Sequence, residues 1–228
     1  MLIYAHRGSS ATAPENTLAA FRQAIADGAD GVELDVRATR DGVLVVLHDR
    51  DLGRTTNGAG AVDETTLDEL QRLDAGGGER VPTLDQVLAL LAGRLRLDLE
   101  VKQPGIERAL LSTLAGHPAA SWAISAFDWA VLTAVRALSD DADLWPLSIV
   151  ASDDLFAAAA TLRTTTVALH GAAVTPAVVR RCDAADVDLM VWTVNDIERA
   201  RLARLHGVAA LCTDDPATII AGLRRDPA

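Results

Sequence analysis

Short apolar runs alternate along the chain with longer stretches whose apolar residues recur every three to four positions. Residues 2–5, 31–36, 43–48, 95–101, 122–127, 143–150, 164–169, 188–194 and 209–213 read as strands. Residues 16–27, 83–91, 106–115, 129–138, 153–162, 176–185, 196–206 and 216–223 read as helices. Thr83 and Thr175 are placed to cap, and Pro176 and Pro216 suit a first helical turn. Strand–helix alternation builds parallel sheet. One gap, residues 37–42, is too short for a helix, and its Asp41-Gly42 predicts a hairpin. The remaining strands suit a (β/α)₈ TIM barrel, with a doubly wound open sheet as the alternative.

One segment breaks the rhythm. Residues 50–80 carry Asn57-Gly58-Ala59-Gly60 and Gly76-Gly77-Gly78 around a short helical piece at 66–73. This stretch is too short for a core of its own, so it reads as an insertion into a single domain spanning 1–228. It follows His48-Asp49 directly and is expected to lie near whatever His48 does.

The strand patterns carry the candidate chemistry. Glu33-Leu34-Asp35-Val36 points two carboxylates to one face between apolar residues, and burying two like charges is costly unless a cation joins them. A two-residue turn at Asp41-Gly42 puts Asp35 opposite His48. Residues 97–102 alternate cleanly, with Leu97, Leu99 and Val101 on one face and Asp98, Glu100 and Lys102 on the other. In a barrel the charged face points inward. It suits either an ion-pair ladder around Lys102 or a site in which Glu100 joins Glu33 and Asp35. Three carboxylates are hard oxygen ligands, suited to Mg²⁺ or Ca²⁺. His6, after the first strand, and His48 then fall near that metal, where two imidazoles can serve as general base and general acid. His117 and His206 read as structural or solvated, and His170 ends a strand. Trp192 suits a pocket wall, Asn195 a helix cap, and Thr213-Asp214-Asp215-Pro216 a second cap.

Composition narrows the partners. A net charge of -11 argues against nucleic acid and against docking on anionic lipid. No apolar stretch is long enough for stable membrane insertion. Cys182 and Cys212 have no C-x-x-C spacing and read as free thiols in a reducing, cytoplasmic setting. The cationic residues comprise 20 Arg and one Lys, Lys102. Nothing in the sequence marks an oligomeric state.

These motifs occur in one order: His6-Arg7-Gly8, Pro14-Glu15-Asn16-Thr17, Glu33-Leu34-Asp35-Val36, His48-Asp49, Pro82-Thr83-Leu84, Glu100-Val101-Lys102, Ser125-Ala126-Phe127, Trp192-Thr193-Val194-Asn195 and Thr213-Asp214-Asp215-Pro216. The ordered set resembles the glycerophosphodiester phosphodiesterase family from Tyr4 to about Pro216. The departures are mild: Ser125-Ala126-Phe127 stands where the family often has Ser-Ser-Phe, and Gly207-Val208-Ala209-Ala210 where it often has Gly-Val-Asp-Gly. The resemblance implies a (β/α)₈ barrel with the insertion over its mouth. It implies a divalent metal on Glu33, Asp35 and Glu100, with His6 and His48 as the acid/base pair. Arg7 and Lys102 would contact the phosphodiester, and Glu15 and Asn16 would organise the first loop. The expected activity is metal-dependent hydrolysis of a small-molecule glycerophosphodiester to sn-glycerol 3-phosphate and an alcohol. A lysophospholipase D-like or cyclising lyase activity, or a non-catalytic phosphoester-binding role, is the alternative.

Overall fold

The computed structural model describes residues 1–225. The nine strands are β1 (Leu2–His6), β2 (Gly31–Ala38), β3 (Leu44–Val46), β4 (Arg96–Val101), β5 (Ser121–Ala126), β6 (Leu144–Ser148), β7 (Thr166–His170), β8 (Asp188–Trp192) and β9 (Ala210–Thr213). The helices are α1 (Leu18–Asp27), α2 (Leu67–Leu70), α3 (Leu84–Leu91), α4 (Glu107–Ala115), α5 (Trp129–Leu138), α6 (Asp153–Leu162), α7 (Pro176–Ala184), α8 (Ile197–Leu205) and α9 (Pro216–Arg224). Strand β1 pairs in parallel with both β2 and β9, so the sheet closes into a ring. That closure excludes the open-sheet alternative. Eight parallel strands with helices between them form a TIM barrel, and β3 hangs antiparallel on the far end of β2.

The helix starts follow from side-chain capping. Thr83 accepts from the Gln86 backbone N–H and Gln86 returns a bond to the Thr83 backbone. Thr175 caps α7 and Pro176 occupies its first turn, as expected. Each such cap contributes about 1 kcal/mol relative to alanine. The buried side of α3 (Leu84, Val87, Leu88 and Leu91) packs on Val32, Leu34, Val36, Leu97 and Leu99 of β2 and β4 within one apolar cluster. Each such fully buried side chain contributes roughly 1.5–3 kcal/mol of transfer free energy.

The alternate residues of those strands turn into the barrel. Glu33 stands beside Asp98, and Asp35 beside Glu100, in the β2–β4 register. Tyr4, level with Gly31 one layer earlier, joins Trp145, Met190 and Cys212 to close the interior beneath them. The barrel thus stacks an apolar plug under a ring of acids at the C-terminal strand ends, where TIM barrels carry their sites.

The hairpin register differs from the sequence reading. Val36 faces Val46 and Ala38 faces Leu44, and Leu47, not His48, donates its backbone N–H to the Asp35 carbonyl at 3.0 Å. The turn has three residues, Arg40, Asp41 and Gly42. Gly42 takes φ 80°, and Thr39 N–H bonds to the Val43 carbonyl at 3.0 Å. A left-handed third residue is the usual way to close a three-residue hairpin, and it moves every pairing by one. Strand β3 accordingly stops at Val46, before His48.

The insertion packs its apolar residues against the hairpin arm. Its Leu52, Val62, Leu70 and Ala75 form one small apolar cluster with Val81, just beyond it, and with Val45 and Leu47 from the hairpin arm. Helix α2 within it begins with a Thr66–Glu69 capping box.

Candidate active site

The acids on β2 and β4 meet at one point. Glu33, Asp35 and Glu100 each place one carboxylate oxygen within 4.8 Å of the others. Asp35 is fully buried and Glu33 nearly so. Burial, then repulsion from Asp35, pushes the Glu33 carboxyl well above its ordinary range, and the same two causes raise Glu100. Glu33 Oε1 and Asp35 Oδ1 are buried without a hydrogen-bond donor among the described residues. Three hard oxygens, mutually repelling and partly orphaned, fit a divalent cation. Asp98, also inward and buried, is pushed up to about 7 by burial.

Two cations border the triad. Lys102 Nζ stands 2.5 Å from Glu100 and 3.4 Å from Asp35. Burial works against its charge, but Asp35 and Glu100 more than offset that and raise its pKa. Arg7 Nε lies 3.4 Å from Asp35, and NH1 donates to Glu15 at 2.8 Å. The Arg7 backbone N–H reaches Glu33 Oε2 at 3.0 Å, and Asn16 donates Nδ2–H to Asp35 at 2.7 Å. Arg7 and Asn16 both have left-handed backbones, and the Asn16 N–H bonds to the Arg7 carbonyl at 2.9 Å. Gly8, at φ 80°, lets this loop lie on α1, because a Cβ there would come within 2.6 Å of Ala20. The first loop is thereby wrapped against the acids.

The two histidines are half-buried beside them. His6 Nδ1 bonds to Asp214 at 2.7 Å, and His48 Nδ1 to Asp49 at 2.5 Å. An ionised carboxylate only accepts, so each Nδ1 is the donor, and Nε2 is left unprotonated in the neutral ring. His6 Nε2 lies 3.9 Å from Glu33. Burial opposes ionisation of Asp214, but hydrogen bonds from His6 and Asn195 outweigh it and bring its pKa to about 2. Asp49 is held below its usual range, first by its hydrogen bond from Arg54 and then by His48. Arg37, from β2, donates to the His48 carbonyl at 2.8 Å.

These groups face a cavity of about 130 Å³ lined by His6, Arg7, Glu33, His48, Glu100 and Lys102 on one side and by Phe127, Leu147, Met190 and Trp192 on the other. Trp192 meets Phe127 edge-on at 5.4 Å and His170 at 5.1 Å. Its buried indole N–H has no acceptor among the described residues. His117 pairs with Asp85, and His206 ends α8, both away from this cavity.

The structure brings His6, His48, Glu33, Asp35, Glu100, Arg7, Lys102 and Trp192 together, with Glu15 bonded to Arg7 and Asn16 to Asp35, and adds others. Asn195 is not a helix cap. Asp196 caps α8, and Asn195 ties the end of β8 to Thr213 and Asp214. Asp215 takes the cap before Pro216, which frees Asp214 for His6. A cap directly precedes a first-turn proline, so only one of the adjacent acids fills it, but the sequence reading gives the whole run to capping and leaves Asp214 unassigned to His6. Arg37 and Arg54 had no such signal.

Comparison with known proteins gives a consistent set of likenesses. The family model described as "Glycerophosphoryl diester phosphodiesterase family" matches residues 6–218. A glycerophosphodiester phosphodiesterase of Caldanaerobacter subterraneus subsp. tengcongensis is 37% identical, over 98% of each chain. One from Bacillus altitudinis is 32% identical over 94% of each. Among solved structures, an Oleispira antarctica phosphodiesterase in complex with the product sn-glycerol-3-phosphate superposes with a TM-score of 0.94. It is 29% identical, covering 98% of this chain and 97% of that one.

Proposed function

The chain belongs to the glycerophosphoryl diester phosphodiesterase family and is an enzyme of that class, and from that premise we propose how its residues divide the work. The substrate is a small glycerophosphodiester, cleaved to sn-glycerol 3-phosphate and an alcohol. The product held by the Oleispira antarctica relative supports that choice. The observation that carries the mechanism is the convergence of two carboxylate-tethered histidines on one cavity with the Glu33–Asp35–Glu100 triad.

In this reading Glu33, Asp35 and Glu100 hold a divalent cation, Mg²⁺ or Ca²⁺. When bound, it would supply positive charge to stabilise the phosphodiester and the negative charge that develops on it. Arg7 and Lys102 grip the phosphate oxygens and meet the negative charge that grows in the transition state. That local reversal of field is needed in a chain of net charge -11. One of His6 and His48, as the neutral ring, takes the proton from the attacking hydroxyl through its free Nε2, and the other, starting as the imidazolium with a proton on Nε2 as well as Nδ1, gives that proton to the departing alkoxide. Glu15 and Asn16 hold the first loop, and Trp192 walls the cavity. The whole chain, 1–228, acts as one catalytic domain, with residues 50–80 as an insertion at its mouth. A cytoplasmic setting is part of the reading, supported by two free, buried cysteines. No helix among the described residues is long and apolar enough to cross a membrane.

The test is chelation with two readouts. EDTA treatment is expected to abolish release of glycerol 3-phosphate, with recovery on adding Mg²⁺ or Ca²⁺. Calorimetric titration of the same cation is expected to give one site that disappears in Glu100→Gln. Activity indifferent to EDTA, or unchanged cation binding in Glu100→Gln, sinks the metal assignment. Phosphorus NMR of the product separates an open monoester from a cyclic phosphate.

A further inference from the structure

Arg54 is one of 20 arginines, and it lies in the insertion rather than in the barrel. Its guanidinium grips two carboxylates at once. NH1 and NH2 donate to the two oxygens of Glu15, both at 2.8 Å. Nε and NH2 donate to the two oxygens of Asp49, NH2 at 3.1 Å. Both carboxylates are already in use. Asp49 accepts from His48 Nδ1, and Glu15 accepts from Arg7 NH1. Arg7 in turn lies against Asp35. Hydrogen bonds run from His48 through Asp49, Arg54 and Glu15 to Arg7, whose guanidinium is an ion-pair neighbour of Asp35 and whose backbone N–H donates to Glu33.

We propose that Arg54 is a positioning residue for phosphodiester cleavage, because its forked guanidinium fastens the carboxylate that orients His48 to the carboxylate that orients Arg7. The proposal rests on the reading above that His48 moves a proton and Arg7 holds the phosphate. It adds that the insertion sets the angle between them. Arg54 touches neither substrate nor reacting atoms. Its task is to keep in one relative geometry two carboxylates that lie 39 residues (Glu15) and 5 residues (Asp49) from it in sequence. A fork of rigid donors does this, and a point-charge ammonium does not.

A purely structural staple makes a different prediction. Arg54 is almost half exposed, and exposed ion pairs contribute little to stability. Misplacing a reacting group by about 1 Å costs on the order of 100-fold in rate. The experiment is steady-state hydrolysis of glycerophosphocholine by wild type, Arg54→Ala and Arg54→Lys, with thermal melts of each. Arg54→Ala is expected to lose roughly 10- to 100-fold in kcat, with KM changed by less than about threefold and an unshifted melt. Arg54→Lys is expected to recover only part of the loss. Free guanidinium ion at low millimolar concentration is expected to restore rate to Arg54→Ala and not to His48→Ala. In a double variant with Asp49→Asn, the Arg54→Ala loss is expected to vanish into the Asp49→Asn loss, since both cut one chain. A kcat within about twofold of wild type, a loss carried by KM alone, full recovery by Lys, or a fall in melting temperature without guanidinium rescue overturns the proposal. An inactive wild type instead overturns the functional reading on which it rests.

Discussion

His6 and His48 face one cavity but are held by different parts of the molecule. His6 ends β1, and its partner Asp214 follows β9, the neighbouring strand in the closed ring. Asn195, at the end of the next strand, donates to Asp214 and accepts from Thr213. The tethers on this side come from the ends of barrel strands, joined by Ser10 of the first loop, which donates to Asp214 at 3.1 Å. His48 lies beyond a three-residue strand that pairs only at the tip of β2. Its partner Asp49 is adjacent in sequence, and the group that restrains Asp49 is Arg54 of the insertion. The barrel supplies one histidine with a stiff mount. The other depends on a satellite cluster of apolar residues and a surface-facing guanidinium. Strand-borne groups keep their geometry at little cost, whereas loop-borne ones need such outside bracing.

The largest expected effect removes either ring. His6→Ala and His48→Ala are each expected to lower kcat by at least about 1,000-fold, the upper range for general acid–base catalysis. Circular dichroism and melts are expected to match wild type, because neither ring is in the apolar core. If one variant keeps near wild-type rates, the two histidines are not a pair, and the comparison above collapses to a single catalytic mount.

The unequal mounts also explain what the sequence could and could not disclose. The parallel sheet was legible from the strand–helix alternation, and the alternation of Leu97, Leu99 and Val101 with Asp98, Glu100 and Lys102 suited a barrel, but closure against the open-sheet alternative came only from the pairing of β1 with both β2 and β9. The acidic triad was legible because residues two apart on a strand share a face. His48 was placed in the site by a register that was wrong by one. Gly42 lengthens the turn, and the choice between two- and three-residue turns is not readable from Asp-Gly alone. Its approach to the site comes instead from the arm that carries it past β3. Asp214 was hidden by a competing role, because strand-end acids before prolines ordinarily cap helices. Arg54 was hidden by distance and abundance. It meets Glu15 from 39 residues away, and no local pattern distinguishes it among so many arginines.

The barrel-side mount is tested next by Asp214→Asn. The amide offers a donor where the carboxylate only accepted, so it no longer fixes the proton on His6 Nδ1. The loss is expected to be about 10- to 100-fold in kcat, less than for removing the ring, because Asn195 and Thr213 still hold the local backbone. Combined with Arg54→Ala, the two losses are expected to multiply, because no hydrogen bond joins Asp214 or Asn195 directly to Arg54, Asp49 or Glu15 among the described residues. Strong non-additivity there shows instead that the two histidines are oriented as one unit.

Lys102→Arg gives the smallest effect and the finest discrimination. Lys102 follows β4 and is braced by Glu100 and Asp35, and among the described residues none of its side-chain hydrogen bonds or ion pairs comes from the insertion. Its side chain is 13% exposed, in a space shared with two carboxylates at 2.5 and 3.4 Å. A guanidinium keeps the charge but is larger, planar and unable to present a compact ammonium between Asp35 and a phosphate oxygen. A fall of about 10-fold in kcat/KM is expected, since one charge-assisted contact worth roughly 1.5 kcal/mol is displaced rather than deleted. The same factor is expected in the Arg54→Ala background, because Lys102 belongs to the barrel-mounted half. Full activity in Lys102→Arg makes the single lysine of this arginine-rich chain an accident of composition. A loss that disappears in the Arg54→Ala background places Lys102 on the insertion's side of the site and redraws the boundary between the two halves.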